Sequence, residues 1–215
     1  MRKIALLIIL ILGIPLSAKA DPIPMSPELK SFMMRPDQRQ GVVGMMMHQW
    51  DVLVGDCSSK QMKSTNVVID IAPTFDQSGM PIFGQWRVVS LVEGCDQSRV
   101  FNIQYSVPQS GPVQRTGLLP GTTAASMLLQ KDALMYAFLS MQKLLPSKDC
   151  KDVQYTDTKF IGFGEASPSA MEGREKRSWN EEWTVRACGV TGVVPMHFVP
   201  DATGTAIAAE EAKPQ

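Results

Sequence analysis

The chain is short of the groups that carry most enzyme chemistry. It holds two histidines, His48 and His197, so a Ser-His-Asp triad would have to draw its base from one of them, and neither stands in a recognisable nucleophile context. HExxH, GxSxG, the P-loop and GxGxxG are all absent. The lack of any CxxC argues against a thioredoxin-type redox site, a zinc ribbon and c-type haem attachment. An excess of one charge is missing too: 21 Lys+Arg stand against 21 Asp+Glu, which leaves no global field to attract nucleic acid. Beyond residue 20 no apolar run approaches the roughly 20 residues that a membrane-spanning helix needs.

The first twenty residues are of a different kind. Arg2 and Lys3 precede an apolar stretch from Ile4 to Ile14, Pro15 breaks it, and Ala18-Lys19-Ala20 supplies a small-x-small end. That is the layout of a cleaved export signal, with the mature chain starting at Asp21. No Cys stands at the cleavage point, so nothing supports a lipid anchor. Cleavage removes Arg2, Lys3 and Lys19 and no acid, leaving 18 basic and 21 acidic residues, a mildly acidic exported protein. The expected location is the periplasm or the extracellular medium, with no nucleic-acid partner and no stable membrane anchor.

Export decides how the four cysteines are read. Cys57, Cys95, Cys150 and Cys188 are even in number, well separated and destined for an oxidising compartment, where disulfides are the rule. Four cysteines allow three pairings. The pattern around them favours Cys57–Cys95 with Cys150–Cys188. A Trp, a β-like run, a Cys and a turn recur at Trp50 to Cys57, Trp86 to Cys95 and Trp183 to Cys188, each followed by a second run and a Pro. If these are hairpins of one meandering sheet, their first strands run parallel and deliver the cysteines to one edge. The recurrence is read as the general grammar of hairpins rather than as an internal duplication. Each bridge would close a loop of about 38 residues, worth roughly 3–4 kcal/mol in the chain-entropy account.

Period-two alternation supports the strands. Trp183, Val185 and Ala187 face one way, with Glu182, Thr184 and Arg186 on the other side; Phe101, Ile103, Tyr105 and Val107 alternate with Asn102, Gln104 and Ser106. A further strand is expected over Val153 to Phe163. Helix signals are clear in two places. Pro120-Gly121-Thr122-Thr123 supplies a turn and a hydroxyl cap before Ala124 to Leu145, with Ala124, Met127, Leu134, Phe138, Met141 and Leu145 on one face and Pro146 as the stop. A short helix opens at Ser26, with Pro27 in its first position, and ends before Pro36. The fold class is α+β: an antiparallel sheet of about six or seven strands with one long helix packed on one face and two disulfides. Residues 21–202 are read as a single domain and 203–215 as a flexible tail.

Three chemical readings compete with simple binding. Met45-Met46-Met47-His48, helped by Met196-His197, joins thioether to imidazole, and soft thioethers select Cu(I). The general use of Met as an adaptable filler of cores outweighs it, and no cofactor is expected. Ser140-Met-Gln-Lys143 has the SxxK spacing of penicillin-binding enzymes, yet Arg115-Thr116-Gly117, the nearest thing to the companion KTG, precedes it instead of following, so an exposed helix surface is the better reading. Glu181, Glu182 and Asp157 offer carboxylates for a small exported hydrolase, but neighbouring Glu residues on a strand point to opposite faces. The leading expectation is a non-enzymatic binding or interaction protein whose partner is another protein or an envelope component. The polar segment Gly164 to Ser178, carrying Arg174, Lys176 and Arg177, is one candidate contact; the space between helix and sheet, lined by Met and aromatics, is read as a filled core rather than as an apolar ligand site. Mass spectrometry of the exported protein should show a chain beginning at Asp21 with no alkylatable thiol before reduction; a free Cys in native material would overturn the paired reading.

Overall fold

A computed structural model describes residues 23–109, 111–147, 149–166, 177–201 and 204–215. The segment expected to be an export signal lies outside the described residues, as do Arg174 and Lys176. The chain is α+β, built from three helices and two antiparallel sheets rather than from one sheet under one helix.

The first half begins with α1 (Pro27–Met34), whose first turn is closed by the Ser26 hydroxyl accepting from the Leu29 amide at 3.2 Å. Pro36 then opens α2 (Pro36–Leu53), and Gln38, Val42, Met46 and Trp50 fall on its buried side at four-residue spacing. Trp50 to Leu53 had looked β-like because Val and Leu are adjacent there. The stripe that ends on Trp50 holds the segment helical instead, and Gly55 at a φ of 99° lets the chain leave. Strands β1 (Gln61–Phe75), β2 (Pro81–Gly94), β3 (Gln97–Val107) and β4 (Gln114–Gly117) follow as an antiparallel meander. Their inner face, with Trp86, Val88, Phe101, Ile103 and Tyr105, closes a core against Leu29, Phe32, Met46 and Trp50. Phe32 meets Trp86 edge-on at 6.0 Å, and Trp86 stacks on Tyr105 at 5.2 Å.

The second half repeats this plan. After α3 (Met127–Met141) come β5 (Val153–Ala166), β6 (Arg177–Ala187), β7 (Val190–Pro200) and β8 (Thr205–Ala209) in sequence order, with the two-residue β9 (Lys213–Pro214) also on β7. Cys57 is joined to Cys95 and Cys150 to Cys188, and both bridges span 38 residues. The two pairs stand 93 residues apart (150 less 57, and 188 less 95). The same offset carries the strand register from one sheet to the other. Gln61 faces Glu93 as Gln154 faces Arg186, and Val67 faces Val88 as Phe160 faces Glu181, with a bulge at the same place (Met62/Ser64 and Tyr155/Asp157). Trp86 pairs with Tyr105 as Trp179 pairs with Phe198, and both pairs stack. In each half the second Cys opens a two-residue turn with positive φ, Cys95-Asp96 and Cys188-Gly189. The molecule is therefore a structural duplication of a helix, a meander and a staple. The counterpart of Trp86 is Trp179, not Trp183, so the three-hairpin pattern was out of phase with the repeat.

Two expectations about the second half change. Helix α3 starts at Met127 under a Ser126 cap rather than at Ala124, because Thr122 to Ala124 are already bound to the second sheet. Its buried face is Gln130, Ala133, Ala137 and Met141, where small side chains let the helix approach β6 and β7; Leu128, Met135 and Leu139 are exposed. The segment read as a flexible tail is sheet: β8 pairs with β7, and Ala212 belongs to the second core.

Residues 118–125 connect the halves by hydrogen-bonding to both. On one side the Leu118 and Gly121 amides donate to the carbonyls of Asn102 and Val100, while the Asn102 side chain donates to the carbonyls of Leu119 and Gly121. On the other side the Thr122 amide donates to the Thr158 carbonyl at 2.6 Å, forming a parallel bridge between Thr122 and Lys159. Coverage by this segment explains why Asn102, expected on a wet face, is buried. Gly121 sits at a φ of 98°, and a Cβ there would run into the backbone of Thr158. Gly121→Val is expected to cost about 3 kcal/mol or more, from clash and strain together. Urea unfolding checks this, and an unchanged midpoint would refute the close approach.

Candidate functional site

An apolar opening lies in the first half, between the helical layer and the outer strands. It has a volume of about 700 Å³, within the size range of small-molecule and peptide clefts. Helix α1 and its approach contribute Met25, Lys30, Met33 and Met34; α2 contributes Arg39, Val42 and Val43; the floor is Met62, Thr65 and Val67 of β1 with Val88 of β2. Sequence explains the opening. Leu29 and Phe32 tie α1 down at one side, and Val42 and Met46 tie down α2, so the remaining faces of both helices stand away from β1. The lining is dominated by Met, which adapts to irregular apolar shapes. Lys30 and Arg39 are exposed, and neither has an ion-pair partner among the described residues. An apolar groove flanked by two cations suits an apolar ligand carrying negative charge.

The polar residues that look catalytic are structural where the fold places them. Glu181 is 1% exposed, and its carboxyl oxygens accept from four donors: the Trp179 indole (2.8 Å), the Trp183 indole (2.7 Å), the Ala124 amide (2.8 Å) and the Thr123 hydroxyl (3.1 Å). All its neighbours are donors of a single arrangement, which satisfies a buried acid. Glu182 points the other way, within 3.7 Å of Lys159. Burial raises the Asp157 carboxyl above its ordinary range, opposed by the charge of Arg99. Burial also pushes the Tyr155 hydroxyl up to about 12, and that hydroxyl donates to the Leu134 carbonyl at 2.7 Å, holding α3 to the sheet.

The other singled-out residues are dispersed. Successive helix positions turn by about 100°, so Met45, Met46, Met47 and His48 fan around α2: Met46 is fully buried and His48 is exposed. On β7 Met196 is buried, while the His197 ring lies on the opposite face between the Asn180 side-chain oxygen (2.7 Å) and a Glu210 carboxylate oxygen (2.8 Å). Ser140 and Lys143 do share a shallow depression of about 320 Å³ between α3 and β8, but Lys143 is exposed and ion-paired with Glu211 at 2.9 Å. Arg177 opens β6.

The sequence points to the space under a helix over Ala124 to Leu145, and to a filled core there, so this groove is not among its expectations. The groove belongs to α1, α2 and β1, and the signal was present: Val42, Met46 and Trp50 recur every four residues, a helix stripe masked by the β-like run that follows.

A scan against protein-family models finds no match, and neither the curated proteins nor the solved structures yield one. Glu181→Ala should destabilise the protein by about 3 kcal/mol or more, since two indole N–H groups and a backbone amide lose their acceptor together. Denaturant unfolding measures it; a loss below about 1 kcal/mol would show that the cluster is not a structural clamp.

Proposed function

We propose that the protein is an exported, disulfide-stabilised, non-enzymatic binding protein whose ligand site is the groove between α1, α2 and β1. The observation that carries this reading is the 700 Å³ groove itself, lined by Met25, Met33, Met34 and Met62 and edged by Lys30 and Arg39. A fully packed interior leaves few voids larger than water, so an apolar opening of this size implies an occupant. Two disulfides fit an oxidising compartment, and the first twenty residues have the layout of an export signal. Both point to the periplasm or the extracellular medium. The staple across Cys57 and Cys95 holds the start of β1 to the β2–β3 turn, which keeps the floor of the groove rigid and lowers the ordering cost of binding.

The fluorescent apolar probe N-phenyl-1-naphthylamine tests the site. Val43 and Met34 are exposed on its rim, so Val43→Arg with Met34→Arg should leave the fold intact and weaken probe binding at least about ten-fold. Leu128→Arg with Leu139→Arg, on the exposed apolar side of α3, should leave it unchanged. Equal loss in both variants, or none in either, would remove the groove as the binding site.

A further inference from the structure

Because the two halves share a register, the strand residues that floor the groove have counterparts in the second half, and there the space beside them is filled. Met62, Thr65, Val67 and Val88 correspond to Tyr155, Thr158, Phe160 and Glu181. Three of those four bind the connecting segment directly. Thr158 accepts from the Thr122 amide (2.6 Å) and donates its hydroxyl to the Pro120 carbonyl (2.6 Å). The Phe160 amide donates to the Thr122 hydroxyl (3.1 Å), and Glu181 accepts from Thr123 and Ala124. In the second half, then, the connecting segment passes the outer edge of β5 and makes one parallel bridge with it, Thr122 to Lys159. In the first half the equivalent edge, β1, pairs with β2 alone among the described residues, and the space beside it is the groove.

From this we infer that the groove takes an extended peptide segment of a partner protein, added parallel to β1 and centred on Asn66, the counterpart of Lys159. This deepens the binding reading above and rests on it. Strand addition of this kind draws affinity from main-chain hydrogen bonds and selectivity from the flanking pockets. By the correspondence, the Thr65 carbonyl receives a peptide N–H and the Val67 amide finds an acceptor. The residue preceding that N–H is glycine, because Gly121 occupies the matching place, where a Cβ would collide with the strand. Replacement of Glu181 by Val88 removes the buried carboxylate from the first-half site, so apolar side chains of the peptide face Val88 and the methionines. Lys30 and Arg39 take a peptide carboxylate.

A second copy of this chain is the competing occupant, and its own sequence argues against it. The C-terminal segment follows β7 as the connector follows β3: the Glu210 amide donates to Pro195 at 2.9 Å, as Leu118 does to Asn102. Continued one repeat further, that segment would meet β1 of a neighbouring copy. Aligned on that hydrogen bond, one residue short of the 93-residue offset, it carries Lys213 where the connector has Gly121 and Pro214 where it has Thr122. Lys213 brings a Cβ into the close approach, and Pro214 has no N–H to give. Proline and lysine at a sheet edge are the usual means of preventing edge-to-edge growth.

The probe is a labelled nine-residue peptide of the connector sequence, residues 118–126, with a free C-terminal carboxylate, added to the intact disulfide-bonded protein. Saturable anisotropy is expected, with slowed hydrogen exchange at residues 66–67 and displacement of N-phenyl-1-naphthylamine. Methylating the peptide nitrogen that matches Thr122, or replacing the glycine by valine, should weaken binding at least ten-fold. On the protein side Val67→Pro, tolerated at an edge strand, should do the same with little change in the thermal midpoint. If the naphthylamine binds in the groove and the peptide does not displace it, the peptide inference fails and the binding reading stands. Failure of both probes overturns both. Peptide binding that ignores N-methylation, or equilibrium sedimentation showing self-association through β1, overturns strand addition by a partner.

Discussion

The structure depends on the connecting segment 118–125 having its backbone satisfied on both sides at once. Buried main-chain groups without partners are costly, and this stretch runs between two sheets. Asn102, Gln130, Thr158 and Glu181 meet that demand, and they make up most of the polar side chains buried among the described residues. Gln130 shows the logic: its amide oxygen accepts from the Leu119 amide at 3.0 Å, while its nitrogen donates to the Ala125 carbonyl at 2.8 Å, clamping the segment from α3. The start of α3, the burial of Asn102 and the close approach at Gly121 all follow from that one path.

Duplication then distributes roles between the halves. The second half spends its outer β edge on joining the first, and its central position on Glu181, which ties two tryptophans to the connector. The first half keeps the same strand geometry but has Val88 in that position and carries an extra helix, α1. Its edge is left beside an apolar groove instead of a covalently attached strand. The indole N–H of Trp86 has no hydrogen-bond partner among the described residues, whereas the Trp179 indole is bonded to Glu181. One framework thus yields a closed structural half and an open half.

Much of the local structure was legible. The Ser26 cap with Pro27 marked α1 to the residue, the alternation around Phe101 and Trp183 marked β3 and β6, and the oxidising context with the hairpin turns pointed to Cys57–Cys95 and Cys150–Cys188, the pairs joined here. What misled was local likeness without phase. Trp50 begins a β-like run yet lies at the end of an i, i+4 stripe. Trp183 resembles Trp86 in its surroundings, yet Trp179 holds the equivalent place, because equivalence is set by strand register and not by the nearest Trp. The Ala- and Glu-rich end has weak strand signals and becomes β8 only because β7 offers it an edge.

Sequence by itself determined the α+β class, the capped first helix and the cysteine pairing, since each rests on short-range chemistry: a cap, a turn, an alternation. Tertiary structure alone decided that there are two sheets rather than one, that the hairpins of the two halves repeat 93 residues apart, and that a Met-lined groove lies beside α1, α2 and β1. Those outcomes depend on which buried backbone groups find partners, and the partners lie tens of residues apart in the chain.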